Sequence, residues 1–583
     1  MKRLIPPLLI FVLAYVYYSI QACPSFYFWD SAELTAAVLT DGVPHPPGFP
    51  LLLLIAKLWL SVTPFEKVLS LNLFSSFMAA AGLTIWYFVI METLRYLFRM
   101  TDRNSLSVIS FISIVVLGIT FSYSIQATRF EVYSLNFLLF AVIFYLALKL
   151  IETSGESAVL NFLFYGAVGL SLGAHLLTMA LALPGIFLFY YAWTKWKISR
   201  PAAGIPLAVI IIVALYYYLY KLAVLQPSLN WGDPSNLGRF LDYLFVREFN
   251  LSMSSFSRAH LAENISFVAR LIARQFGLIG IILALVGLAY TFIRKIPLGV
   301  GVSLILVLNV FSSVFSTEYF YENFDLHGYH LISMGIMGMC SAIGLTLFYG
   351  FLRHKKMKKD FKTDKRALMI TAVVAVLIFA VPIYNNIFSA DLSDVDGRTF
   401  AEAFLQGAPD NAMIITSYYN TYFCLLAYDA GYNPDSKRII HCLYNWDHKW
   451  GREQAARRSD ESIPVERGRQ EFYRELLNGR TDAKPVYIEY DSSSRPLAKY
   501  IRPQGLGYIF AFHDSLKACP QSFVYDIQLR LKEASGSNHI EWIKTWVLWF
   551  NNRGLYYKHL GEIDAANAYF EAMNSLAETA EIE

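Results

Sequence analysis

Long apolar segments alternate with short polar loops over the first two thirds of the chain. Eleven of these segments are long enough to cross a lipid bilayer as helices. They lie at 4–22, 70–92, 106–126, 133–150, 159–177, 179–194, 203–225, 267–293, 297–316, 330–351 and 367–388. This pattern predicts a polytopic α-helical membrane protein with eleven transmembrane helices, the sixth of them broken at Pro184 and Gly185.

The pattern changes near residue 390 to that of a water-soluble domain. Short β-branched segments at 412–416 and 485–490 predict strands, and helical patterns occur at 398–406, 418–430 and 465–478. We therefore expect a transmembrane module over 1–389 and a small α/β domain over 390–535. The remaining segment, 536–583, has the residue spacing of one tetratricopeptide-like helix pair, which would pack as a cap on its own domain or form a surface for a partner.

Composition narrows the class of protein. Of 583 residues, 56% are hydrophobic and only 16% are charged, which excludes a soluble enzyme of this size. The net charge of +4 is spread over many loops, so no nucleic-acid partner is expected. Five cysteines show no metal-ligand spacing and support no particular disulfide. We interpret residues 1–22 as an uncleaved first span because no small-residue cleavage site precedes Cys23.

The distribution of basic residues predicts the topology. With a cytoplasmic N-terminus, the short inner loops hold nineteen Lys and Arg residues and the short outer loops hold six. This asymmetry follows the positive-inside rule. Eleven spans then place the C-terminal domain and the loop 23–69 outside the cytoplasm, and the cell membrane of a bacterium is the expected location.

The first outer loop carries the most informative polar residues. Asp30 and Glu33 are three residues apart ahead of a short apolar helix, and His45 begins the rigid turn His-Pro-Pro-Gly. Asp-x-x-Glu at this position also resembles a capping box, so Asp30 could simply cap the helix. Charged groups at the membrane boundary are costly, which favours a catalytic role for Asp30 with Glu33 as its helper.

Further polar residues lie near the predicted outer ends of spans. Candidate substrate-binding residues besides His45 are Arg129, Glu131, His175, Arg270, Arg274, Asp325 and His327. Arg270 and Arg274 are four residues apart and could bind a phosphate, or could reach lipid headgroups instead. Glu131 could equally pair with Arg129 inside the helix bundle.

At this point the motifs resemble a known family. Residues 29–37, Trp-Asp-Ser-Ala-Glu-Leu-Thr-Ala-Ala, and 45–51, His-Pro-Pro-Gly-Phe-Pro-Leu, are similar to the signature of the protein O-mannosyltransferase-like family of the GT-C superfamily. Blocks at 131–136, 169–175 and 230–234 resemble the same family. The likeness covers residues 10 to 260, and this chain departs from it at Ala32, where a Gly is usual, and at Ala174.

The resemblance implies an inverting transferase that moves a sugar, mannose in the family, from a polyprenyl-phosphate carrier to an acceptor hydroxyl on the outer face. Expected partners are this lipid-linked sugar as co-substrate, an acceptor protein or glycan, and membrane lipids. No cofactor and no metal are expected, since the outer loops lack a compact Asp-x-Asp pair and Arg can meet a phosphate.

Two other classes of function fit parts of the pattern. A transporter or flippase of lipid-linked sugars would also need polar residues in a bundle, but it would show internal repeats that this chain lacks. A membrane-anchored binding scaffold would use the C-terminal domain alone, and eleven spans exceed what an anchor requires. The identity of the sugar and of the acceptor stays open.

Overall fold

The computed structural model describes residues 5–98, 102–193, 204–247, 258–314, 324–354, 364–458, 485–510, 523–537 and 539–579. Each of the eleven predicted apolar segments coincides with helix in these residues. The helices before residue 390 are α1 Ile5–Ile20, α2 Asp30–Leu39, α3 Pro50–Val62, α4 Lys67–Phe98, α5 Arg103–Ile119, α6 Phe121–Ala127, α7 Val132–Glu152, α8 Ala158–Ala174, α9 Leu176–Trp193, α10 Ile205–Val224, α11 Leu237–Leu244, α12 Arg258–Arg294, α13 Ile296–Val314, α14 Phe324–Gly328, α15 Leu331–His354 and α16 Lys365–Asn386.

The helices have the composition of a multi-pass membrane protein. Within the described ranges, six of them, α4, α7, α10, α12, α15 and α16, are long and apolar enough to cross a membrane. The bent pair of α5 and α6 would make a seventh, and five further apolar helices, including α1 and α8, are shorter. The total of eleven spans therefore stays a prediction, while the polytopic helical fold is confirmed.

Large apolar side chains are exposed along the outer helices. Leu8 and Leu13 on α1, Ile210 on α10 and Leu377 on α16 are all more than half exposed. In water such a surface would be costly, but in a bilayer it meets acyl chains. These faces are where lipid surrounds the bundle.

One predicted span is bent, and one predicted break is absent. Helices α5 and α6 meet at 70° around Thr120. At this bend the Thr120 hydroxyl donates to the Leu117 carbonyl, and the Ser124 hydroxyl donates to the Gly118 carbonyl. The predicted break at Pro184 was wrong, because α9 is continuous there. Gly185 instead lets α9 approach α13, since a Cβ on it would lie 2.4 Å from the Gly301 carbonyl oxygen.

A mixed five-stranded sheet forms the centre of the C-terminal domain. Its order is β2-β1-β3-β5-β4, with β1 parallel to β2 and β3, and with β5 antiparallel to β3 and β4. The elements are α17 Gly397–Leu405, β1 Met413–Thr416, α18 Tyr419–Tyr432, β2 Ile439–Cys442, α19 Lys449–Arg458, β3 Val486–Ile488, β4 Ile501–Gln504, β5 Gly507–Phe510 and α20 Phe523–Ala534. Both predicted strands and two of the three predicted helices are present, and the third, 465–478, lies outside the described residues.

Two packed helices end the described chain. Helix α21 spans Ile540–Leu560, and α22 spans Ile563–Thr579, with Gly561 in the left-handed conformation between them. Such a glycine ends a helix without a Cβ penalty. The predicted helix pair is therefore present, and its tetratricopeptide identity stays a prediction.

The C-terminal domain is held on the membrane module by a cluster of charged residues around Asp233. This carboxylate, 1% exposed, accepts bonds from Arg239 of α11 at 2.7 Å and from Arg457 of α19 at 2.9 Å. Arg239 also pairs with Glu453 of α19. A buried carboxylate shared by two arginines fixes the loop after α10 against the domain.

We expect Asp233→Ala to weaken this docking, because two guanidinium groups lose their shared partner. The loss should be about 1.5–3 kcal/mol, the range for hydrogen bonds to charged groups, seen as a lower thermal unfolding midpoint of the detergent-purified protein. Asp242→Ala is the matched control, since Asp242 and its partner Arg247 are both more than half exposed and should contribute little. Equal midpoints for the two variants would contradict the docking role.

Candidate active site at the first outer loop

Glu33 and His45 hold the first outer loop together. The Glu33 side chain is fully buried and accepts two hydrogen bonds from His45, one from the backbone N–H at 2.7 Å and one from Nδ1 at 2.5 Å. These bonds join α2 to the turn that follows it. In this structure the Glu33 carboxylate binds His45, and its role as a helper of Asp30 stays a prediction.

The His-Pro-Pro-Gly turn is fixed from outside by α11. The Tyr243 hydroxyl donates to the Pro44 carbonyl at 2.5 Å, and the Pro46–Pro47 peptide bond is cis. Gly48 has a φ of +96°, and a Cβ there would lie 2.5 Å from both the Tyr243 hydroxyl and a Leu219 methyl group. Only glycine fits this position without displacing its neighbours.

Asp30 does not occupy the N-cap position of α2 in the structure. Asp30 is the first residue of α2, and Trp29 occupies the N-cap position without a side-chain bond to the helix. The Asp30 side chain is 29% exposed, and one of its oxygens lies 4.0 Å from His45 Nδ1. Asp30 is therefore more open than Glu33, as expected of a group that meets substrate.

A second group of charges lies beside Asp30. Arg129, 1% exposed, pairs with Asp325 at 2.7 Å and with Glu131 at 3.7 Å, and its guanidinium stacks 5.1 Å from the Tyr27 ring centroid. Carboxylate oxygens of Asp30, Glu131 and Asp325 lie within 4.8 Å of one another. The structure thus brings together six predicted site residues, Asp30, Glu33, His45, Arg129, Glu131 and Asp325.

The crowding of these groups changes their proton affinities. Burial raises the pKa of Asp30; the charge of His45 opposes this rise, and the Glu33 carboxylate adds to it. Burial likewise raises the pKa of Asp325 to about 6 against the effect of Arg129, and raises that of Glu131 well above its usual range. A carboxylate with a raised pKa is a stronger base than a free one, which suits proton abstraction.

His45 carries a positive charge in this setting. Burial alone would lower its pKa, but the carboxylates of Glu33 and Asp30 outweigh burial and raise it to about 10. An imidazolium at neutral pH cannot accept a proton, so the candidate base of the loop is Asp30 rather than His45.

Two sets of donor atoms in the described residues are close enough to bind a cation. They are Asp30, Glu33 and His45, and Asp30, Glu131 and Asp325. In the first set His45 already neutralises Glu33, and in the second Arg129 already pairs with Asp325 and Glu131. The expectation that no metal is needed stays a prediction.

The remaining predicted residues lie around this cluster. His175, 2% exposed, packs against the ring of Phe49, which directly follows the His-Pro-Pro-Gly turn, and against Tyr133. Nδ1 of His327 lies 3.1 Å from the Ser122 hydroxyl oxygen. Arg270 and Arg274 are exposed on α12, whose residues Phe267 and Gln275 are buried.

Several residues of the site were not predicted from the sequence. Tyr27 lies under Arg129, and Tyr243 holds the turn, although each is an ordinary aromatic residue in the sequence. Asn230-Trp231 pairs with Val43, whose N–H donates to the Leu229 carbonyl at 2.8 Å. The block at 230–234, which was found through family likeness, thus has a structural role as the support of the first loop.

The fold is similar to that of a solved protein. The structure superimposes on ArnT from Cupriavidus metallidurans bound to undecaprenyl phosphate with a TM-score of 0.54. The match covers 88% of this chain and 99% of that protein, at 11% sequence identity. At this identity the likeness concerns the fold.

The sequence comparisons point to one family within that fold. Residues 30–199 match the family model of the protein O-mannosyl-transferase TMEM260 N-terminal domain. The mouse protein O-mannosyl-transferase TMEM260 is 25% identical over 252 residues, which are 41% of this chain and 33% of that protein. The Dictyostelium discoideum relative of the same name is 24% identical over 456 residues, 70% of this chain and 53% of its own length.

These matches confirm the resemblance that the motifs carry in the N-terminal part of the chain. The matched segments span a third to about half of the curated relatives' lengths. The matched family region begins at Asp30 itself.

We expect the His45 charge to make stability depend on pH. The folded pKa is about 10, whereas an unfolded histidine titrates near ~6.5. The stabilisation is therefore complete below pH ~6.5 and is lost as the pH rises through about 10. Thermal unfolding midpoints measured from pH 6 to 10.5 should fall more steeply for the parent than for His45→Gln. Parallel curves would show that the charge on His45 does not stabilise the fold in this way.

Proposed function

We propose that this protein is an inverting glycosyltransferase of the GT-C type. It transfers a sugar, mannose by the names of its relatives, from a polyprenyl-phosphate carrier to a hydroxyl group. A protein Ser or Thr is the proposed acceptor, on the extracytoplasmic face. The observation that carries the proposal is the partly open Asp30 carboxylate, held beside His45, Glu131 and Asp325.

Asp30 is the general base of the proposed reaction. Its carboxylate takes the proton of the acceptor hydroxyl as the hydroxyl oxygen forms a bond to the anomeric carbon of the sugar. The bond between that carbon and the phosphate oxygen breaks on the opposite face, and its electron pair leaves with the polyprenyl phosphate. Attack opposite the leaving group inverts the anomeric centre.

Positive groups must meet the leaving phosphate as its charge develops. His45 is the best placed, since its charged ring is 23% exposed and lies beside Asp30. Arg129 is buried and already paired with two carboxylates, so its role is to hold Glu131 and Asp325. Arg270 and Arg274, both exposed on α12, are the candidates for the distal side of the phosphate.

Two observations favour a lipid-linked donor and an outward-facing site. The structural relative ArnT is described as bound to undecaprenyl phosphate, and its fold covers most of this chain. The basic residues of the short loops concentrate on the side opposite the first outer loop. The N-terminus would then be cytoplasmic, with the C-terminal domain outside the cell membrane of a bacterium.

The central test replaces the base without changing its shape. Asp30→Asn should lower the rate of transfer about 10²–10⁴-fold, because the amide cannot accept the proton. Folding should be unaffected, since Asp30 does not cap α2. The assay follows transfer of labelled sugar from a polyprenyl-phosphate donor to a Ser/Thr-containing acceptor peptide.

Asp41→Asn is the matched control for this test. Asp41 lies in the same loop, is 64% exposed and pairs with Lys57, so the parental rate should persist. Parental activity in Asp30→Asn would place the base elsewhere. Equal losses in both variants would indicate a general effect of charge on the loop.

Topology is tested by cysteine labelling in intact cells. The described native cysteines, Cys23, Cys340, Cys424 and Cys442, are all buried, so a Cys519→Ser background removes the fifth. In that background Asp435→Cys, exposed in the C-terminal domain, should react with a membrane-impermeant maleimide. Asn104→Cys, exposed at the start of α5, should react only after lysis. The reverse result would contradict the outward-facing site.

A further inference from the structure

Trp29, the residue before Asp30, adopts a backbone conformation that bulky residues rarely adopt. Its φ of 57° and ψ of −129° are those of the first central position of a type II′ turn, which glycine normally occupies. For a large side chain such a conformation costs on the order of 1–3 kcal/mol and persists only where surrounding groups enforce it. The ring is 43% exposed, so packing of the ring alone does not enforce it.

Two hydrogen bonds from the C-terminal domain hold Trp29. Its backbone N–H donates to Asn420 Oδ1 at 3.1 Å, and its indole N–H donates to Glu541 Oε2 at 2.9 Å. Asn420 and Glu541 are both more than nine-tenths buried and lie on two different helices, α18 and α21. The domain thus binds both the backbone and the side chain of the residue that begins α2.

Both holding residues are themselves fixed. Asn420 Nδ2 donates to Thr545 of α21 at 3.4 Å, which leaves its oxygen directed at Trp29. The partly buried Glu489 side chain accepts bonds from the backbone N–H groups of Ser417 and Tyr418, at the N-terminus of α18. The two helices that bear Asn420 and Glu541 are therefore joined to each other and to the sheet.

The residues before Trp29 form a strap, residues 23–29, between the two parts of the protein. On the membrane side, the Cys23 N–H donates to the Thr128 carbonyl at 2.8 Å. On the domain side, the Ser25 hydroxyl donates to Asp396 at 2.5 Å, and the Phe28 ring packs between Phe400 and Trp542. The position of Asp30 therefore depends on groups of the C-terminal domain.

We propose that Asn420 and Glu541 are positioning residues for the catalytic carboxylate. By holding Trp29 in its strained conformation, they fix the position and orientation of Asp30, the next residue. The C-terminal domain is then a working part of the active site. This inference rests on the proposed function of Asp30, and it adds two residues that are more than 390 positions from Trp29 in sequence. Displacement of a catalytic group by about 1 Å can cost 10²-fold in rate, so small losses of hold should be measurable.

The test removes each bond and separates catalysis from binding and folding. Asn420→Leu and Glu541→Leu remove the acceptors, and Trp29→Phe removes the indole donor. Each should lower kcat for sugar transfer about tenfold or more, with the donor KM within about twofold and the unfolding midpoint near that of the parent. Glu541→Gln retains an acceptor oxygen and should recover most of kcat. The double variant Trp29→Phe/Glu541→Leu should have the same kcat as either single variant, because both substitutions remove the same hydrogen bond.

Arg457→Gln is the matched control. It removes a contact between the same domain and the other outer loop, at Asp233, and should lower the unfolding midpoint while kcat is kept. Two results would overturn the proposal: Arg457→Gln lowering kcat as much as Asn420→Leu, or Glu541→Gln being as slow as Glu541→Leu. Either result would mean that the loss of kcat comes from weaker docking of the domain in general and not from the lost hydrogen bonds to Trp29.

An activity-independent measurement decides the inference separately from the function. Backbone amide hydrogen exchange of residues 26–34 should be faster in Asn420→Leu than in the parent, since the Trp29 N–H loses its acceptor. Unchanged exchange would overturn the positioning role whatever the kinetics. A parent protein that transfers no sugar, with Asn420→Leu still raising exchange, would reject the proposed function and retain the hold on Trp29.

Discussion

The structure around Asp30 depends on the buried guanidinium of Arg129. Leaving such a charge unpaired would cost several kcal/mol, so its neighbours must supply compensating groups. Asp325 and Glu131 do so as ion pairs, and the Tyr27 ring offers its negative face. These partners come from three separate segments of the chain. One charge thereby fixes the strap, the start of α7 and the short helix α14 around the space beside Asp30.

The same arrangement sets the chemistry of Asp30. Four carboxylates and two cations share a small volume, so no single proton affinity there is independent of the others. His45 holds the charge of Glu33, Arg129 holds that of Asp325, and Asp30 is left as the least enclosed carboxylate. A base that is partly desolvated yet open on one side can reach an acceptor and bind its proton. The pair of motifs in the first loop is thus one electrostatic unit with the segment 129–131.

Much of this site could be predicted from the sequence, for reasons that are local. Apolar segments long enough for a bilayer determine the helices, and a membrane makes carboxylates such as Asp30 conspicuous. The roles within the first loop were harder to predict. Glu33 was expected to help at the acceptor, and in the structure its fully buried side chain binds His45. This contact could not be predicted, because the helical spacing of Asp30 and Glu33 says nothing about His45, twelve residues later in the chain. Pro184 was expected to break a helix, yet the surrounding bundle accommodates it.

The contacts of the C-terminal domain could not be predicted, because they depend on how two separately recognisable parts dock. No motif in the sequence around Asn420 indicates a function. Glu541 belongs to a helix pair whose sequence predicts only a cap on its own domain or a surface for a partner. Their significance comes only from the conformation of Trp29, which a side chain of that size does not adopt without restraint. Because this strained residue comes immediately before the proposed catalytic carboxylate, a functional explanation is favoured over a defect: backbone strain is retained where it fixes a geometry that a relaxed chain would not keep.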